Sequence, residues 1–184
     1  TFLSLFLQNL IMDKLDNQPC PVCRNKTLTL TEDMVEVPYF GKTYIFSMRC
    51  SSCKYFMSDV EAEEQKEPSR YTIETDSDKD MQIRVVKSSA AAIKIPQLKM
   101  SVESGPASIG FISNIEGVLD RFKEIIEQEK ESTDEEGVRK NAKNLLKKIW
   151  KIKLGDIKVK IILEDSTGNS AIISEKAKVE KLKK

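Results

Sequence analysis

The residues best placed for chemistry are four cysteines, arranged as Cys20-Pro-Val-Cys23 and Cys50-Ser-Ser-Cys53, and the chain has no others. A CxxC pair sets two thiolates at the tip of one tight turn. Two such pairs face to face supply a tetrahedral shell of four sulfurs suited to Zn2+. A closed shell leaves no open coordination position, so the expected metal is structural, not catalytic. Paired disulfides fit less well, because they belong to oxidising compartments and small loop-rich chains, and no secretory signal is legible here. A redox CxxC needs one pair opening a helix, whereas both pairs lie between strand-like runs. Spacing alone does not separate zinc from a rubredoxin-like iron site.

The flanking residues predict a ribbon that would hold these turns together. Thr27 to Thr31 alternates with period two, Thr43 to Arg49 is a second β-rich run leading into Cys50, and Tyr55 to Val60 reads as a last ribbon strand. Between them the turn Pro38-Tyr39-Phe40-Gly41 presents an aromatic tip. Tyr39 and Phe40 could dock a partner or pack onto a neighbouring domain, since small ribbons have little core of their own. The position after the second cysteine of a zinc turn favours positive φ, which suits glycine. Arg24 and Lys54 stand there instead, so strained backbone and positive charge beside the sulfurs are expected.

Composition narrows the functional classes. The chain has 184 residues, 32% of them charged and 40% hydrophobic, a net charge of +1 and no histidine, with a mean hydropathy of −0.38. This describes a globular protein of one ordinary domain plus a small one. The balanced charge argues against a general nucleic-acid binder. Lack of histidine removes Ser-His-Asp and Cys-His catalysis and the usual general base near neutral pH, and there is no glycine-rich phosphate loop or nucleophile elbow. An enzyme is therefore not expected. Residues 1–11 are apolar but too short for a membrane span and lack the basic lead of a signal peptide. The extension 1–17 is read as lying outside the fold, with Met12 as the functional start; a short amphipathic segment packing on the ribbon or a partner is the alternative.

The expected organisation is a zinc ribbon over 18–64, an acidic linker with a first strand over 65–80, a second domain over 81–174 and a basic tail over 175–184. Short β runs at Gln82 to Val86, Ala90 to Ile95 and Leu98 to Glu103 suggest a sandwich or roll. Two amphipathic helices then form a hairpin at about 113–154. Ser113 with Glu116 and Thr133 with Glu136 read as capping boxes, and Gly155 as the stop. The last β runs, Asp156 to Leu163 and Ser170 to Ile173, flank the turn from Glu164 to Asn169. The second helix carries Arg139, Lys140, Lys143, Lys147, Lys148, Lys151 and Lys153 around Trp150. This reads as a solvated face neutralised by the acid-rich first helix, with nucleic-acid stacking as the sharper alternative.

Several motifs in one order carry a resemblance. The CPVC and CSSC turns, Arg84-Val-Val-Lys-Ser-Ser-Ala-Ala-Ala-Ile-Lys-Ile-Pro96, Ser113-Asn-Ile-Glu-Gly117 and Leu163-Glu-Asp-Ser-Thr-Gly-Asn-Ser170 together resemble the ZPR-type zinc-finger family, from about Gln18 to about Ile173. Eukaryotic members resemble a tandem of two such modules; one module is similar to the archaeal form. The resemblance implies an α+β, mainly β fold: a small zinc ribbon followed by a double-stranded β-helix or roll domain with an inserted helical hairpin. It also implies a cytoplasmic protein with a protein partner, the GTPase translation elongation factor one-alpha, whose folding or handling it would assist. A nucleic-acid-binding ribbon in translation or transcription is the alternative, and no membrane partner is expected. On this reading zinc is held by Cys20, Cys23, Cys50 and Cys53, while Tyr39, Phe40, Asp165, Gly168, Asn169 and Ser170 are the candidate partner contacts. Replacing Cys20 and Cys50 together is expected to unfold the ribbon and spare the second domain. Circular dichroism checks this, and loss of all β signal would contradict the two-domain organisation.

Overall fold

The computed structural model describes residues 13–38, 40–64, 66–105 and 108–182. Its first unit is a four-stranded antiparallel sheet in sequential order, β1 (Asp13–Pro19), β2 (Lys26–Val37), β3 (Gly41–Cys50) and β4 (Phe56–Ala62). β2 and β3 form one long hairpin whose register runs from Leu28 opposite Cys50 to Val37 opposite Gly41. That register sets the cysteine turns at one end of the sheet and the 38–40 turn at the other. β1 corrects the reading of 1–17 as lying outside the fold, because Asp13 to Leu15 pair with Glu32 to Leu30. Its residues are almost all exposed, so no burial pattern betrayed it. Residues 1–11, Met12 as the expected start, and Tyr39 lie outside the described residues.

The second unit is built from two further antiparallel sheets. The larger has the order β12 (Lys178–Lys181), β5 (Ser69–Thr75), β10 (Val159–Asp165), β7 (Ala91–Ile95) and β8 (Met100–Val102); the smaller has β11 (Ala171–Ile173), β6 (Arg84–Lys87) and β9 (Phe111–Asn114). The central strand β10 shows why the sheet forms: Val159, Ile161 and Leu163 are fully buried, while Lys160, Ile162 and Glu164 on the other face are not. Glu164 faces Arg70 across the ladder and receives its Nε at 2.7 Å and Lys94 Nζ at 3.0 Å. Part of the segment read as a basic tail is strand β12, paired to β5 from Lys178 opposite Thr72 to Lys181 opposite Ser69. The expected strand from Leu98 begins at Met100, because Pro96 opens a 3-10 turn that closes on Lys99 at φ 53°.

Helices α1 (Ile115–Ser132) and α2 (Glu136–Lys153) form the expected hairpin. Ile115, Val118, Leu119, Phe122 and Ile126 of α1, with Ala142, Ile149 and Ile152 of α2, join the sheet residues Ile73, Ile93, Ile95 and Ile161 in one core. The caps differ from the expected boxes. Ser113 remains in the ladder opposite Val85, so Asn114 caps α1 by accepting from Gly117 N at 2.8 Å. Thr133 Oγ1 accepts from Glu135 N, inside the turn between the helices, rather than from a helical residue. Gly155 ends α2 at φ 82°, as its composition predicts.

The segment from Glu164 to Asn169 is not a hairpin turn, since β10 and β11 belong to different sheets. It is a corner that carries the chain from one sheet to the other, next to the ribbon. There Asn169 Oδ1 accepts from Ala62 N at 3.2 Å, and Gly168 takes φ 76° with its Cα against the Lys66 carbonyl. A Cβ on Gly168 would stand 2.5 Å from that oxygen. Gly168→Ala is therefore expected to cost about 2 kcal/mol or more in strain and displaced backbone, lowering the melting temperature by roughly 4–8 °C. Thermal unfolding of the zinc-loaded variant checks this.

Candidate metal centre

The two cysteine turns are near copies of each other. Arg24 N donates to Cys20 O at 2.9 Å and Lys54 N to Cys50 O at 3.1 Å, while Cys20 N reaches Asn25 O and Cys50 N reaches Tyr55 O, both at 2.9 Å. Each turn closes only because the residue after its second cysteine is left-handed: Arg24 has φ 61° and Lys54 φ 63°. The strain expected at these two positions is present, and Lys54 Nζ returns to Ser51 O at 3.0 Å within its own turn. The first turn sits between β1 and β2, the second between β3 and β4. Pairing of Leu28 with Cys50 brings them face to face.

All four Sγ atoms lie within 4.8 Å of one another. Cys20 Sγ is 3.6 Å from Cys53 Sγ, and Cys23 Sγ is 3.7 Å from Cys50 Sγ. Four sulfurs bonded tetrahedrally to zinc would stand about 3.8 Å apart, so the donor set and its spacing fit a structural zinc. Cys20 and Cys50 are buried against Leu28, with Leu30, Met48 and Tyr55 packed alongside. The Val22 N–H donates to Cys20 Sγ at 3.4 Å, and Thr27 Oγ1 lies 3.3 Å from Cys50 Sγ. The Cys53 N–H and then the Thr27 hydroxyl draw the Cys50 thiol down to about 6. The Tyr55 N–H favours the Cys53 thiolate, but burial and the neighbouring sulfurs of Cys50, Cys20 and Cys23 outweigh it and push that thiol up to about 11. Four thiolates cannot share this space without a cation between them.

The other candidate contacts are elsewhere and mostly inside. Phe40 is 5% exposed and packs with Val37, Val60 and Ala62 of the ribbon on Val86 and Ala171 of the smaller sheet. Of its two expected roles, packing on a neighbouring domain is the one seen and the exposed docking role is corrected: burying the ring seats the ribbon on the second unit. Lys66 Nζ sits 3.5 Å from the centre of that ring and donates to Phe40 O. Asp165 and Ser170 are fully buried, which corrects their reading as surface contacts as well. Gly168 packs against the 66–67 backbone and Asn169 bonds to the ribbon, leaving Ser166 and Thr167 as the exposed residues of the loop.

A hub that the motifs contained but did not explain lies at Lys87, Ser88 and Ser89. Ser88 Oγ donates to Asp165 Oδ2 at 2.7 Å, and Ser88 N donates to Ser170 Oγ at 2.8 Å. Ser89 N donates to Asp59 Oδ1 at 2.7 Å, tying β4 of the ribbon to the smaller sheet. Lys87, 1% exposed, donates to Ser88 O and Ser108 Oγ, both at 3.0 Å. Burial lowers its ammonium to about 8, with Asp165 and Asp59 opposing that shift. The polar spelling Lys-Ser-Ser between two hydrophobic strands was the available signal.

A four-sulfur centre on an antiparallel ribbon, seated on a roll of two β-sheets with a helical hairpin, defines a zinc-ribbon protein of structural rather than catalytic metal chemistry. The family model described as the ZPR1 zinc-finger domain matches residues 14–68, and the one described as the ZPR1 jelly-roll domain matches residues 79–184. The chain belongs to the ZPR1 family. It is 38% identical over 165 residues to an uncharacterised ZPR1-like protein of Methanocaldococcus jannaschii, covering 89% of this chain and 83% of that one. It is 39% identical over 170 residues to another from Pyrococcus horikoshii, covering 90% and 76%. The zinc finger chaperone zpr1 of Schizosaccharomyces pombe is 28% identical over 158 residues, 83% of this chain but 33% of that protein. The matched module thus spans most of each archaeal relative but one third of the Schizosaccharomyces pombe protein. The relatives' names describe zinc-finger proteins and a chaperone, not an enzyme.

Because the Cys53 proton is held to about 11, zinc binding near pH 7 must displace it. Adding zinc to metal-free protein in weak buffer is expected to release protons, and acidification to release the metal. Indicator-dye titration checks both signs; zinc uptake with no proton release would contradict the arrangement.

Proposed function

We propose that this chain is a zinc-dependent protein-interaction module that assists the folding or handling of translation elongation factor one-alpha. The observation that carries the reading is family membership shared with a relative named as a zinc finger chaperone. The surface geometry supports it. With Phe40, Asp165 and Ser170 committed to the interior, the large apolar residues of the ribbon that are exposed among the described residues lie toward its metal end. Val22 between the first two cysteines is 63% exposed, Phe56 just after the second pair is 41% exposed, and Leu15 on the edge strand is 60% exposed. Arg49 lies over the Phe56 ring at 5.0 Å, giving that end a cationic rim. Zinc would act here by holding the two turns so that this end is preorganised before the partner arrives. That role would place the chain in the cytoplasm; among the described residues, no helix is long and apolar enough to cross a membrane.

The test is refolding of purified elongation factor from denaturant with and without this protein. Zinc-loaded protein is expected to raise the yield of nucleotide-binding factor, and the Cys20→Ser/Cys50→Ser variant to give none of that gain. Val22→Asp with Phe56→Asp should lose the gain while retaining zinc. Equal yields with and without the protein would overturn the reading.

A further inference from the structure

The second helix of the hairpin carries a surface that neither the zinc centre nor the core explains. Arg139, Lys140, Lys143, Lys147, Trp150, Lys151 and Leu154 are all exposed. At about 100° per residue they occupy one third of the helix circumference, opposite Ala142, Ile149 and Ile152, which face the core. No acid interrupts this face from Arg139 onward. The expected neutralisation by the acid-rich α1 reaches one residue of the stripe. Lys153, on the flank, takes both Glu116 at 3.1 Å and Asp120 at 2.8 Å. Lys148 turns instead to Gln97 O. Arg139 meets Asp134 at 3.5 Å. Among the described residues, Lys140, Lys143, Lys147 and Lys151 have no carboxylate within ion-pair distance.

Trp150 is 61% exposed in the middle of these cations. Packing does not account for an indole in that position, since its neighbours along the helix, Ile149 and Ile152, supply the core contact. Exposed lysines are depleted from the centres of protein–protein interfaces. A row of lysines beside an exposed aromatic ring is instead the composition of single-stranded nucleic-acid surfaces, where cations follow the phosphates and rings stack on unpaired bases. Lys140, Lys143, Lys147 and Lys151 recur every three or four residues, one helical turn apart, and so form a straight cationic row about 16 Å long. The ring and the row lie on the same face, so one strand can meet both.

We infer that the outer face of α2 binds single-stranded RNA, with Trp150 stacking on a base and the lysine row tracking the backbone. The inference is independent of the chaperone reading, because it uses no residue of the ribbon. A small net charge of +1 is compatible with it, since the acids gathered on α1 leave the cations concentrated on one side of the hairpin.

Trp150 is the only tryptophan in the chain, so its emission reports the site directly. Titrating the zinc-loaded full chain with a ten-residue oligouridylate is expected to quench that emission. Four phosphate contacts should weaken binding about fifty-fold between 50 and 200 mM salt. Lys143→Gln with Lys147→Gln should flatten the salt dependence and weaken binding at 50 mM salt by about tenfold. Trp150→Ala, followed by anisotropy of labelled RNA, should lose about tenfold while keeping the salt slope. All three side chains are on the surface, and unchanged circular dichroism would show that the fold is retained. No quenching at 50 mM salt would overturn the inference. So would equal binding of a duplex of the same length, or displacement of the RNA by polyglutamate at equal charge, which would mark the face as a dock for acidic polypeptides.

Discussion

A carboxylate with no access to water governs how the two units of this protein are joined. Asp165 is fully buried, and an ionised carboxylate in that position must be surrounded by donors or the fold cannot close around it. Burial works to raise its proton affinity, but hydrogen bonds from Ser170, Thr167 and Ser88 outweigh that and hold it below the usual carboxylate range. The donors come from two parts of the architecture. Thr167 and Ser170 shape the corner between the sheets, while Ser88 anchors the segment whose next residue, Ser89, reaches Asp59 in the ribbon. The buried ammonium of Lys87 lies on the other side of Ser88 and offsets the charge. Removing either charge alone would leave the other stranded in the interior.

The zinc centre and this polar hub divide the stabilisation of a thin sheet. At one end the ribbon has only Leu28 and its partly buried neighbours beside the sulfurs, too small a cluster to fold without metal. At the other end it borrows a core, as Val37, Phe40, Val60 and Ala62 share Val86 and Ala171 with the roll. Hydrogen bonds between Ser58 and Gly110, in both directions, close the seam. The ribbon is therefore held at a set angle rather than tethered, and what it presents at its metal end is presented rigidly.

What could be read from the residues alone depended on whether a signal was local. The cysteine spacing, the left-handed positions at Arg24 and Lys54 and the helical hairpin were legible because each follows from a few adjacent residues. The partnership of β10 and β11 was not, because a Gly-Asn turn between two apolar runs reads as a hairpin whether or not the runs share a sheet. Strands β1 and β12 were illegible for another reason: Asp13–Pro19 and Lys178–Lys181 are edge strands with almost every side chain in solvent, so only their backbone pairing defines them. The turn-like surroundings of Phe40 and Asp165 give no local sign of burial. Their burial depends on the ribbon tip and the sheet corner meeting, a long-range event that no short window encodes.

The pairing of β12 with β5 also sets an order of events during synthesis. The ribbon strands all lie between Asp13 and Ala62 and connect as sequential hairpins, so this unit can capture zinc as soon as Cys53 leaves the ribosome. The larger sheet cannot be completed then. β5 leaves the ribosome next, yet both of its neighbours, β10 and β12, are translated more than eighty residues later. Until they arrive, Ile73 and the open edges of β5 must wait beside a ribbon closed only at its metal end. The metal end of the ribbon is thus set before the larger sheet is complete, and a slow passage through the helical hairpin would lengthen the time that the exposed strand spends without its partners.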